Sequence, residues 1–81
     1  MKKIRKDIAI SESGFVFNPS SGESYTVNGI GIELFKYIKE EKSYEEIRDL
    51  IIDKYDANED VFEKDYQDFV AIMEYNNILE N

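Results

Sequence analysis

Residues 13–28 hold the strongest constraint on what this chain can fold into. Phe15-Val16-Phe17 favours strand, and Asn18-Pro19-Ser20-Ser21-Gly22 supplies the proline and glycine of a tight reversal. Ser24-Tyr25-Thr26-Val27 then resumes with β-favouring residues in alternation. Successive side chains of a strand point to opposite faces, so Tyr25 and Val27 share one face and Ser24 and Thr26 the other. Ile8-Ala9-Ile10, ended by Ser11-Glu12-Ser13-Gly14, adds a further strand. A sheet this small is marginal alone and has to lean on other elements.

Those elements are helices. Asn28-Gly29-Ile30-Gly31 breaks the strand pattern, and a helix over about 31–39 buries the stripe Ile30, Leu34, Phe35 and Ile38. Ser43-Tyr44-Glu45-Glu46 is a capping box, and Tyr44, Ile47, Leu50 and Ile51 follow it at helical spacing to about Lys54. Asp60, with Glu63 three residues on, reads as the cap of a third helix that runs to about Tyr75. Asn76-Asn77 ends it before Ile78-Leu79. On that helix Phe62, Tyr66, Phe69 and Met73 cluster, with Val70 to one side and Val61 and Ile72 to the other. The apolar arc covers about half the circumference, where one side of a small core needs only about 100°. Either the arc is buried on two sides, or part of it lines a groove beside the last strand. The expected fold class is α+β and winged-helix-like: a small N-terminal antiparallel sheet of three strands, then three helices, in a single domain over 1–81 with 1–7 as a flexible basic tail.

Composition removes most chemistry. The 81 residues include no histidine and no cysteine, which excludes thiol nucleophiles, disulfides, Cys/His zinc sites and imidazole bases. No acidic series has the spacing of a calcium loop. Gly29-Ile30-Gly31 lacks the third glycine and the βαβ length of a dinucleotide site. Serines 20, 21 and 24 have no base to activate them. No catalytic residue, metal or cofactor is expected, and the chain does not read as an enzyme. No apolar run is long enough to cross a bilayer, and the basic start at 2–6 is followed by no apolar region or cleavage site of a signal peptide. The chain reads as cytoplasmic, with no membrane partner.

Ten basic residues against eighteen acidic ones give a net charge of -8. Residues 1–30 carry four positive and three negative side chains, and residues 31–81 carry six and fifteen. Small strands with three helices also suit a DNA-binding winged helix, but a recognition helix presents Arg, Lys, Asn or Gln. The third helix has Lys64 against Glu63, Asp65, Asp68 and Glu74, so a nucleic-acid partner is not expected. Addition of a peptide strand to a free edge uses what is present: main-chain donors and acceptors, with pockets for alternate side chains.

The order of these features resembles the PqqD-like family, whose fold is also the recognition element of ribosomally made, modified peptide pathways. The resemblance spans about 8–79. It rests on the Asn18-Pro19-Ser20-Ser21-Gly22 turn, Tyr25-Thr26-Val27-Asn28 before the first helix, and Ser43-Tyr44-Glu45-Glu46-Ile47 opening the second. Asp65 with Phe69 and the closing Asn77-Ile78-Leu79 complete it. Glu41-Lys42 stands where the family usually has an Asp-Gly-like turn. The resemblance implies a non-catalytic domain that binds the leader of a precursor peptide as an extra strand and presents it to a modifying enzyme, often a radical SAM protein. It implies a pairing edge at Glu23, Ser24, Tyr25, Thr26 and Val27, and groove residues among Asp65, Phe69, Ile72 and Met73. The alternative is a small structural or interaction domain that docks onto a larger enzyme without binding a leader. A free edge also permits a weak homodimer beside the monomer.

Overall fold

A computed structural model describes residues 3–80. The hairpin forms where the alternation lies, with β3 (Phe15–Asn18) antiparallel to β4 (Glu23–Thr26) in the register Phe15↔Thr26, Val16↔Tyr25, Phe17↔Ser24 and Asn18↔Glu23. β2 (Ala9–Ile10) pairs with the other side of β3, so the sheet order is β2-β3-β4 and β4 is an edge. Val16 and Asn18 face the core, while Phe15 and Phe17 face outward. Gly14 takes φ +92, and a Cβ there would stand 2.3 Å from the Val27 carbonyl oxygen, so only glycine fits.

The helices are α1 (Gly29–Lys39), α2 (Tyr44–Tyr55) and α3 (Glu59–Tyr75). Asn28 caps α1 by accepting a 2.8 Å hydrogen bond from the Gly31 amide, which starts the helix two residues before the expected boundary. The capping box closes as its motif requires: Glu46 N donates to Ser43 Oγ at 3.1 Å, and Ser43 N donates to Glu46 Oε1 at 3.2 Å. In the turn between α1 and α2, where no glycine stands, Glu41 itself enters the left-handed region at φ 62. Ile47 and Ile51 are buried, but Leu50, expected in the same stripe, is exposed. The cap of α3 is Asn58 and not Asp60. Asn58 holds extended backbone angles and its side chain accepts from the Asp60 and Val61 amides, which leaves Asp60 in the first turn.

Two short strands complete the fold, β1 (Lys3–Ile4) and β5 (Leu79–Glu80), paired antiparallel. The expectation of a flexible basic tail over 1–7 is therefore corrected for Lys3 and Ile4; residues 1 and 2 lie outside the described residues. The reason is Ile4. It is only 6 % exposed, and burying an isoleucine side chain is worth about 1.5–3 kcal/mol. Beside it Arg5 N donates to Ile78 O at 2.9 Å, and Arg5 Nε to Asn77 O at 3.0 Å. Asn77, at φ 59, turns the chain out of α3, and the buried Asn18 amide also donates to its carbonyl, at 3.2 Å. The other end of the same Asn18 side chain accepts from Ser20 N at 3.0 Å. One asparagine thus fixes both the hairpin turn and the end of α3. The core between sheet and helices is Ile4, Ile8, Val16, Leu34, Phe35, Ile38, Ile47, Ile51, Phe62, Met73 and Ile78.

Candidate functional site

The free side of β4 follows from its pairing. Val27 N donates to Gly14 O at 2.8 Å, so Gly14 and Val27 form a hydrogen-bonded pair. With the β3–β4 register, the next such pairs are Val16 with Tyr25 and Asn18 with Glu23. The backbone N–H and C=O groups of Ser24 and Thr26 therefore point away from β3, along the open edge of the sheet. The side chains alternate as expected: Tyr25 and Val27 pack against the core, while Ser24 and Thr26 are exposed.

A groove runs between this edge and α3, past the first turn of α1. Its part beside β4, about 220 Å³, is lined by Tyr25, Thr26, Val27, Asn28, Gly31, Phe69 and Ile72. A second part, about 260 Å³, is lined by Asn28, Ile30, Gly31, Leu34, Asp65, Asp68, Phe69 and Ile72. The two parts share Asn28, Gly31, Phe69 and Ile72. Gly31 is what keeps them open, because a Cβ there would lie 2.8 Å from Val27 Cβ and 3.3 Å from Phe69 Cε1. The Tyr25 hydroxyl is buried with no hydrogen-bond partner among the described residues, and burial pushes its pKa up.

Of the residues expected at the site, Tyr25, Thr26, Val27, Asp65, Phe69 and Ile72 come together around the groove. Glu23 and Ser24 lie on β4 outside its lining. Met73 is corrected: it is completely buried, while the adjacent Ile72 is 49 % exposed. One residue along a helix turns a side chain by about 100°, which carries Met73 into the core and Ile72 to the groove. The broad apolar arc of α3 is not buried on both sides, since Val61 and Ile72, together on one shoulder, are 56 % and 49 % exposed. Sequence reasoning missed Asn28, Ile30, Gly31 and Leu34 as lining residues. Asp68, which flanks the apolar arc with Asp65, does line the groove, since Asp65, Asp68 and Ile72 recur at i, i+3 and i+7 on one helix face.

The site offers a strand edge, apolar recesses and two carboxylates. Among the described residues no cluster of acidic side chains is arranged to hold a metal ion. Residues 14–79 match the family model described as coenzyme PQQ synthesis protein D (PqqD). Among solved structures, the chain is similar to TbiB1 in complex with the TbiA(beta) leader peptide. That match has a TM-score of 0.85 and 23% identity, over 98% of this chain and 95% of that one. It is also similar to lasso peptide synthetase B1 complexed with the leader peptide, with a TM-score of 0.84 and 16% identity, over 99% and 98% of the two chains. At these identities the likeness is one of fold. No curated protein matches the chain.

Proposed function

The chain belongs to the PqqD family, and on that footing we propose that it captures the leader of a ribosomally made precursor peptide. The leader adds to β4 as a strand, and the domain presents it to a modifying enzyme, a radical SAM maturase, while catalysing no step itself. The observation that carries this reading is the free edge of β4 lying along a groove shared with α3. Ser24 and Thr26 offer main-chain groups to a new strand, and each hydrogen bond made there contributes about 0.5–1.5 kcal/mol net. Alternate side chains of that strand turn toward Tyr25, Val27, Phe69 and Ile72. That both structural relatives are leader-peptide complexes supports the reading. Among the described residues no helix is long and apolar enough to cross a membrane, and we place the activity in the cytoplasm.

The test uses proline at an edge. Thr26→Pro removes an N–H that serves no bond to β3, so the hairpin should survive. The leader of a precursor peptide encoded beside this chain should then lose about tenfold or more in affinity, since a donor is gone and the ring obstructs the added strand. Binding that is unchanged in a folded Thr26→Pro variant would refute strand addition at this edge. A second reading, docking onto a larger enzyme without a leader, is favoured by the exposed Phe15 and Phe17 on the outer sheet face. Amide shifts separate the two: a leader perturbs residues 23–27 and α3, and docking alone leaves them unchanged.

A further inference from the structure

The groove changes character along its length. Beside β4 its lining carries no charged side chain. Toward the end of β4 that leads into α1, Ile30, Leu34 and Phe69 are joined by the carboxylates of Asp65 and Asp68, and no basic side chain lines either part. Asp65 and Asp68 are three residues apart on α3, so their Cβ atoms stand about 5–6 Å from each other. Both are exposed, and among the described residues neither has an ion-pair or hydrogen-bond partner. Glu33, Glu41 and Asp49, by contrast, each stand against a lysine or arginine of the same chain.

Resting on the strand addition proposed above, we infer that this groove selects a segment with a large apolar side chain beside Val27 and a lysine or arginine at the next position on the same strand face, toward Asn28. Side chains pointing the same way on a strand are two residues and about 6.5–7 Å apart. The two parts of the groove adjoin through their shared lining, so both side chains seat at once. A lysine or arginine matches the second part in both its halves. The aliphatic stem lies over Ile30 and Leu34, and the cationic head reaches the two carboxylates. A glutamate in that position would bring a third negative charge against two. The net charge of -8 attracts a basic segment from a distance as well. The aspartates have a competing role, because they stand beside the first turn of α1, which carries no acidic residue of its own. The experiment has to separate selection from helix support.

The full chain is used to select from a random library of short displayed peptides. Synthetic versions of the consensus, with lysine, glutamine or glutamate at the basic position, are then titrated against the native chain, Thr26→Pro, and an Asp65→Asn, Asp68→Asn double variant. The expected consensus has a basic residue two positions from a large apolar one. Lysine should exceed glutamate by about tenfold at low salt, less at high salt. The preference should vanish in the double variant. A consensus without a basic position, or a lysine preference that survives the double variant, overturns the inference. So does a double variant that loses thermal stability while its peptide selectivity is untouched, which assigns the aspartates to α1. In those outcomes strand addition still stands if Thr26→Pro abolishes binding. Binding indifferent to Thr26→Pro, or no selected peptide, removes strand addition and this inference together.

Discussion

Gly31→Ala sets two effects of opposite sign against each other at the centre of the groove. In a helix interior alanine is favoured over glycine by about 1 kcal/mol. Against that, the new methyl meets Val27 Cβ at 2.8 Å, Asn28 Oδ1 at 3.3 Å and Phe69 Cε1 at 3.3 Å. Phe69 is half-buried and its ring can shift. Val27 Cβ is bonded directly to the backbone at the end of the edge strand, so it moves only if that strand moves. Overpacking of this kind costs about 1–3 kcal/mol, which leaves a net loss of about 0–2 kcal/mol. The middle of that range lowers Tm by about 4–8 °C in a domain of this size. The effect on ligand binding should be larger than the effect on stability, because Gly31 lines both parts of the groove. Failure to bury one apolar side chain there costs about 1.5 kcal/mol, or about tenfold in Kd. Thermal denaturation followed by circular dichroism and peptide titration measure the two quantities on one preparation. A variant that gains the full stability of alanine and binds peptide normally would refute the close apposition of α1 and Val27.

Three further outcomes follow from the described contacts. Ile72→Ala and Met73→Ala change neighbours on one helix, yet urea denaturation should show a loss of about 2–5 kcal/mol for buried Met73 and much less for Ile72. Peptide affinity should fall for Ile72→Ala, and equal stability losses would contradict the orientation of α3. Asn18→Ala removes the bonds to Ser20 N and Asn77 O together and should cost about 1–3 kcal/mol; a loss inside measurement error would show that this side chain does not tie the turn to α3. The Lys54 ammonium holds the Glu33 carboxyl below its ordinary pKa, assisted by Tyr55 and Lys36 and opposed by partial burial. Its folded value is the lower one, so the stabilisation is complete above the ordinary glutamate range and is lost as pH falls through the depressed value. Stability measured from neutral to acid pH should therefore decline less steeply in Glu33→Gln, which starts from a lower level at neutral pH; identical acid limbs would rule the pair out as a contributor.

Local features of this fold were legible because local residues determine them. The hairpin needs only its alternation and its Pro-Gly reversal, and the start of α2 needs only Ser43 and Glu46. The start of α3 was misread because Asn58 and Asp60 are comparable caps two residues apart. Periodicity gave the apolar arc of α3 but not its orientation, since an arc of that width has two usable centres. Where the sheet lies decides that Met73 is core and Ile72 is groove, and no pattern within the helix carries that information. Gly31 was visible as a glycine at a strand–helix junction. Its purpose depends on Phe69 approaching from a distant part of the chain. The pairing of β1 with β5 was hidden most completely, because strands of two residues show no periodicity and the four basic residues around Ile4 obscured it.

That ribbon also implies an order of assembly. The Arg5 to Asn77 contact spans 72 residues of sequence, whereas the hairpin reversal closes over four, from Asn18 to Gly22. By the logarithmic dependence of loop closure on length, bringing the two strands of the ribbon together costs about 2.5 kcal/mol more in chain entropy than closing the reversal. The hairpin and the capped helices can form from short-range contacts before that closure is favourable. The ribbon is then the last element to dock and the first to open. When it opens, the contacts of Arg5 with Asn77 and Ile78 are released, and the end of α3 keeps its tie to Asn18. Hydrogen exchange should accordingly find the Arg5 amide, which donates to Ile78 O across the ribbon, opening at lower free energy than those of Tyr25 and Val27. A fold built this way can loosen at its ribbon while the edge strand stays in register.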